Sequence, residues 1–312
     1  MINPFYNDEE KRSRSLIRLT VFFIIGMLLT FIPSLIPVTW IDYLFKFLLV
    51  VGFYRFSILF TDRRKWKEGG LVFNKVWFKD FLYGSGIAFV VMLLIFLTEY
   101  FTGGLRVIGY GWNVKISEFW ALPVLIIFIQ MISVGFYEEI ILRGYILRNM
   151  HEGLQSGKTN NSISIIAAVV LSSSLFSVLH YLNPNATTLA LINIFAAGVM
   201  LAIPFILSGS LGLSVGIHFS WNFFMSAVFG FNVSGLNVRN SVIRIEQLGP
   251  DVWTGGGFGP EGGLIGLAGI ILVLGLTLLL IHRRTGQIVL EESFRLLFCE
   301  KKKLRTSSDE LA

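Results

Sequence analysis

An all-α membrane protein, with eight transmembrane helices enclosing an intramembrane polar cavity, is the fold the sequence predicts. Three observations carry that prediction. Of 312 residues, 54% are hydrophobic and 15% charged, and mean hydropathy is +0.69, a balance foreign to soluble domains. Eight apolar stretches approach the roughly 20 residues needed to cross a bilayer core about 30 Å thick. Lysine and arginine collect in every second connection, as the positive-inside rule requires of cytoplasmic loops.

The stretches run over 16–37, 41–60, 81–101, 119–147, 163–182, 187–207, 211–230 and 262–282. The first lacks a small-residue cleavage site and is long enough to span, so it reads as a retained helix. Lys11, Arg12, Arg14 and Arg18 precede it, and Arg63, Arg64, Lys65, Lys67, Lys75 and Lys79 separate the second from the third. Arg148 and Lys158 separate the fourth from the fifth, and Arg283, Arg284, Lys301, Lys302, Lys303 and Arg305 follow the eighth. The alternate loops hold mainly Arg106, Lys115, Arg239 and Arg244. This pattern predicts eight crossings with both termini cytoplasmic: a segment over 1–15, one membrane domain over 16–282 and a tail over 283–312. A net charge of +6 is then a topology signal that also suits anionic membrane lipid. No stacking platform or fold motif points to nucleic acid. Cys299, the only cysteine, falls in the tail, which excludes a disulfide framework and a cysteine-based metal site.

The loop over 231–261 runs into "GGGFGPEGG", glycine dense enough for a flexible or tightly turning segment. No lysine and hydroxyl follow it, so it is not a phosphate loop. The segment "EESFRLLFCEKKKLR" either lies along the inner membrane surface or forms a partly ordered tail. Asp42 and Lys46 stand four apart and can pair on one helix face. Arg55, near the inner end of its span, can snorkel to the headgroups.

"FYEEIILRG", residues 136–144, is harder to place in hydrocarbon. A charge at that depth costs at least about 2.5–3.5 kcal/mol, and three of them need partners or water. Glu139 and Arg143 have the favourable i, i+4 spacing with the acid first. Glu138 is turned about 100° away and is left for another task. Two histidines also fall within apolar stretches, His180 in "FSVLH" and His218 in "HFSWN", the latter sharing a helix face with Asn222. Residue 159 is midway between Glu138 and His180, so a hairpin turning there brings both to one height. His218 stands about 12 Å and Glu138 about 15 Å above their inner turns at 1.5 Å per residue. The simplest alternative is a polar network that glues helices together.

"EEIILR", "FSVLH" and "HFSWN" match E-E-x-x-x-R, F-x-x-x-H and H-x-x-x-N signatures, in that order, on the fourth, fifth and seventh stretches. On these motifs the chain resembles the CAAX prenyl endopeptidase and bacteriocin-processing (CPBP, ABI-type) family of intramembrane proteases, over a core of about 119–230. The resemblance implies peptide-bond hydrolysis within the membrane, acting on a peptide or membrane-protein substrate. Glu138 would activate a water as general base, His180 would hold that water, and His218 and Asn222 would stabilise the oxyanion. Glu139 and Arg143 would orient Glu138. Family members are often labelled metalloproteases, and Glu138, His180 and His218 could form a two-histidine, one-carboxylate zinc site. The same residues support a metal-free, glutamate-activated water, which is preferred because no H-E-x-x-H spacing fixes two ligands. Two other functions stay open: a catalytically silent immunity or scaffold protein of the same fold, and a transporter with a polar path. The expected location is a bacterial plasma membrane.

Overall fold

The computed structural model describes residues 5–8, 10–35, 38–113, 121–155, 160–237 and 240–295. Phe119, Lys115, Lys158, Arg239, Cys299 and the basic residues from 301 onward lie outside the described residues, as does the turn over 156–159. The chain is an all-α membrane protein. Seven helices are long and apolar enough to cross a bilayer: α1 Ser15–Leu35, α2 Trp40–Thr61, α3 Lys75–Thr102, α4 Ala121–Leu154, α5 Asn161–Leu179, α6 Thr188–Ser208 and, last in the chain, α8 Leu264–Thr285. Between the last two lies α7, Gly212–Phe223. It continues through a π-helical turn, Phe224–Val228, and forms the shorter eighth member of the bundle.

Local chemistry sets the helix ends. Asn74 starts α3 by accepting from the N–H groups of Val76 and Trp77 at 3.0 and 2.9 Å, seven residues before the apolar stretch begins. Thr187 does the same for α6 through Ala190 N–H. α4 outruns its predicted end because its last turns are polar but satisfied: His151 meets Ser164 Oγ at 3.1 Å, and Glu152 takes bonds from Arg12 and Arg18. Between Ile140 and Leu147 this helix widens into π geometry, a distortion common at functional sites.

α7 lies at the centre, packed against α3 and α4, with α5 and α6 paired beside it and α8 against α3 and α6. Small residues allow the closest approach. A Cβ on Gly216 would stand 2.2 Å from Phe81 O, and one on Gly84 2.5 Å from Leu213 O, so α3 and α7 touch backbone to backbone, the way membrane helices maximise dispersion contact.

The end where α1 begins is locked by ions. Arg18 donates to Asp62 at 2.8 Å and to Glu152 at 2.7 Å, Arg12 to Glu152 at 2.6 Å, and Arg64 also pairs with Glu152. Asn149 and Tyr145 add bonds to Asp62 at 3.0 and 3.1 Å. At the same end Glu291 N–H bonds Ile206 O, and Phe294 is fully buried under the Arg148 guanidinium, 4.5 Å from its ring. The first residues of the "EESFRLLFCEKKKLR" segment are therefore docked on the bundle. At the opposite end β3 (Leu105–Tyr110) and β4 (Ile243–Gln247) form an antiparallel pair, while β1 (Tyr6–Asn7) and β2 (Arg12–Ser13) form a small one near the N-terminus.

The "GGGFGPEGG" loop is tightly turned. Gly255, Gly256 and Gly259 have φ of +83°, +51° and +93°, conformations that favour glycine. A Cβ would stand 1.8 Å from Gly259 O at Gly255 and 2.0 Å from Asn232 O at Gly259. Glycine is needed here for close backbone packing, and the loop folds down onto the bundle.

Candidate active site

Glu138 and Glu139 are adjacent on α4 and have opposite environments. The Glu139 side chain is 0% exposed and that of Glu138 23%. Arg143 Nη1 donates to Glu139 Oε1 at 2.8 Å, the bond that i, i+4 spacing allows. The guanidinium is completed by Gly198 O at 3.1 Å and by the face of Phe176, 4.6 Å from its ring centroid.

The same Glu139 Oε1 also accepts from His218 Nδ1 at 2.8 Å. Spacing along the chain gave no hint of this bond. Glu139 therefore holds the imidazole of α7 as well as the guanidinium of α4. With Nδ1–H committed, His218 presents Nε2 to Glu138 Oε2, 3.8 Å away. The Glu138 carboxylate accepts no hydrogen bond from any described residue.

His180 is the residue that ends α5, and its apolar stretch does not continue as helix to 182. Its Nδ1–H donates to Phe176 O at 2.8 Å, which leaves Nε2 of the neutral ring as an acceptor. Phe176 stacks edge-on against both His180 and His218. Asn222, one turn above His218 on α7, is only 6% exposed, and among the described residues no side-chain hydrogen bond engages its amide.

Glu138, His180, His218 and Asn222 all line one cavity of about 630 Å³. Its walls are otherwise mainly apolar, and exposed side chains of Met27, Phe31, Leu179 and Leu236 stand at its rim. Residues 120–224 match the family model for the Rce1-like type II CAAX prenyl endopeptidases. The core of the chain is an Rce1-like domain. It takes in α4 to α7 and all four of these side chains, and the family it matches is one of proteases. No curated protein and no solved structure matches the chain.

The Rce1-like core does not gather a metal triad. Among the described residues no group of three or more His, Cys, Asp or Glu is placed to hold a metal ion. Glu138, His180 and His218 share the cavity without meeting as the three ligands a hydrolytic zinc site takes from the protein.

Sequence reasoning passed over several residues of this cavity. Lys46 pairs with Asp42 at 3.0 Å as its spacing suggests, yet it also lines the wall together with Tyr43. Trp221, Ser234 and Glu261 line it as well. An acid within a glycine-dense run, between Pro260 and Gly262 and just ahead of an apolar span, was the available signal for Glu261.

Proposed function

We propose that the chain is an intramembrane endopeptidase in which Glu138 activates a water. The observation that supports this most is the pairing of two adjacent acids with different duties. Glu139 is sealed and spent on Arg143 and His218, whereas Glu138 faces the cavity with no hydrogen bond of its own. A cavity-facing carboxylate beside two histidines is placed to take a proton from water.

In this reading a water bridges Glu138 and His180 Nε2. Glu138 removes one proton, and the hydroxide attacks the carbonyl carbon of the peptide bond. The oxyanion receives hydrogen bonds from the Asn222 amide and from His218 Nε2–H. Because Nδ1–H already points to Glu139, His218 donates from Nε2 only as an imidazolium. The cluster accommodates that state, since Glu138 and Glu139 balance Arg143 and a protonated His218. On collapse the C–N bond breaks, and the proton held by Glu138 passes to the leaving amine.

Purified chain in detergent, incubated with a peptide library and read by mass spectrometry, tests the reading. Cleavage by the native chain and none by Glu138→Gln is expected. Full cleavage by Glu138→Gln would overturn it, and no cleavage by the native chain would leave the transporter or silent-scaffold readings.

A further inference from the structure

Glu261 is a buried carboxylate that the peptidase chemistry leaves without a task. It sits in the glycine-dense loop, is 6% exposed, and lines the same cavity as Glu138. Its Oε2 accepts from Ser234 N–H and Oγ–H, both at 2.8 Å. Its Oε1 accepts from the indole Nε1–H of Trp221 at 3.1 Å. The loop is held in turn by Asn193 on α6, whose amide donates to Glu261 O and Gly263 O, both at 2.9 Å.

Trp221 immediately precedes Asn222 on α7. Its indole lies where α8 is thinnest: a Cβ on Gly269 would stand 3.1 Å from the ring. α7 is thus clamped to its surroundings at two side chains three residues apart. His218 is tied to Glu139 on α4, and Trp221 is tied to Glu261 on the loop. Residues three and four apart share a helix face, so these two ties fix the rotation of α7 just where Asn222 presents its amide to the cavity. The tight glycine packing of the loop makes Glu261 a stationary anchor.

We propose that Glu261 is a positioning residue of the peptidase, acting through Trp221 to hold the Asn222 amide in register with Glu138. The inference rests on the peptidase reading above. It also gives the glycine-rich loop a purpose, as the fixed wall from which the oxyanion side of the site is suspended.

The test uses the full chain in detergent. Glu261→Gln puts an amide N–H against a donor at one of its two oxygens. It is expected to lower kcat about 10- to 100-fold, in line with misplacement of about 1 Å at a reacting group, with KM little changed. In an Asn222→Ala background the same substitution costs nothing further, because the group it positions is already gone. Trp221→Phe, which removes the indole N–H donor, gives a similar loss, and the double variant is no worse than the poorer single one. Losses in kcat that multiply with Asn222→Ala would overturn the proposal in favour of a general structural role. A second readout does not depend on turnover. Amide hydrogen exchange in Glu261→Gln should rise on the order of tenfold over 219–230 and stay unchanged over α5. Unchanged exchange over 219–230 would overturn the proposal. Loss of peptidase activity in no variant, Glu138→Gln included, would defeat the peptidase reading instead.

Discussion

Replacing Glu139 by glutamine should destabilise the protein more than the same change at Glu138, and the structure gives the size. Both bonds of Glu139 converge on Oε1, from Arg143 and from His218, each at 2.8 Å. Oε2 is buried without a partner. A glutamine can keep its carbonyl oxygen at the Oε1 position and accept both bonds. It loses the charge that balances Arg143, and its amide nitrogen takes the buried place of Oε2, which has no hydrogen-bond partner. Removing one partner of a buried ion pair costs about 3–5 kcal/mol, and the survival of both hydrogen bonds argues for the lower half. The unpaired amide returns about 1 kcal/mol or more to the cost. At roughly 2–4 °C per kcal/mol for a domain of this class, Glu139→Gln should lower Tm by at least about 6 °C. Glu138→Gln should shift Tm by no more than about 2 °C, since that side chain makes no hydrogen bond to lose and surface-type changes stay within about 0.5 kcal/mol. The assay is tryptophan-fluorescence melting in detergent, run beside peptide cleavage. Adding Arg143→Met to Glu139→Gln should recover part of the stability, because an apolar pair tolerates burial, while turnover stays low because His218 is still without its carboxylate. Equal melting of the two glutamine variants, or a less stable Glu138→Gln, would refute the division of labour between the acids.

Other expectations follow from the same geometry. Asn222→Ala should reduce kcat about 10²–10³-fold with KM nearly constant, the cost of one oxyanion donor; an effect confined to KM would remove it from that role. Chelation with strict metal analysis should leave cleavage intact, and recovery of lost activity by zinc alone would reverse the metal-free preference. Gly216→Leu should prevent assembly, because its first carbon would already stand 2.2 Å from Phe81 O; a native yield and melting point would show that α3 and α7 can separate. Single cysteines placed in the loop over 231–261 should react with impermeant reagents from outside the cell, and reaction only from the cytoplasmic side would invert the topology.

The spans were legible because bilayer thickness imposes a length that composition alone reveals. Where boundaries went astray, the cause was a polar residue with a tertiary partner. Nothing in "RNMHEGL" announces that Arg148 will cover Phe294 or that Glu152 will meet Arg12 and Arg18, so α4 was expected to stop early. Tyr181 and Leu182 keep the fifth stretch apolar to 182, whereas the chain turns at His180 ahead of Pro184. Within the site, Glu139–Arg143 was legible from helical spacing. Glu139–His218 spans 79 residues, beyond any local rule, and it moves Glu139 from supporting Glu138 to holding the imidazole. Asp42–Lys46 was read as an internal pair, and spacing could not say that the pair borders the cavity. The glycine-rich loop reads only as flexible or tightly turning because its glycines signal conformation, while the neighbours that make them necessary come from distant segments.

The ion cluster at the start of α1 bears on how the protein is made. Arg12 finds the backbone carbonyl of Asp62, 50 residues later, and Arg18 its carboxylate, 44 residues later, and both find the Glu152 carboxylate, 140 and 134 residues later. A helix emerging first from the ribosome therefore waits for its partners. Until α4 has been threaded and its far end has returned to the same face, the two guanidiniums have Glu10 and Asp62 but not Glu152 to satisfy them. The Glu152 side of the cluster thus closes late in biogenesis, and it does so at the moment the helix bearing Glu138 arrives, so that the amino-terminal residues are fastened by the assembly of the segment that carries this carboxylate.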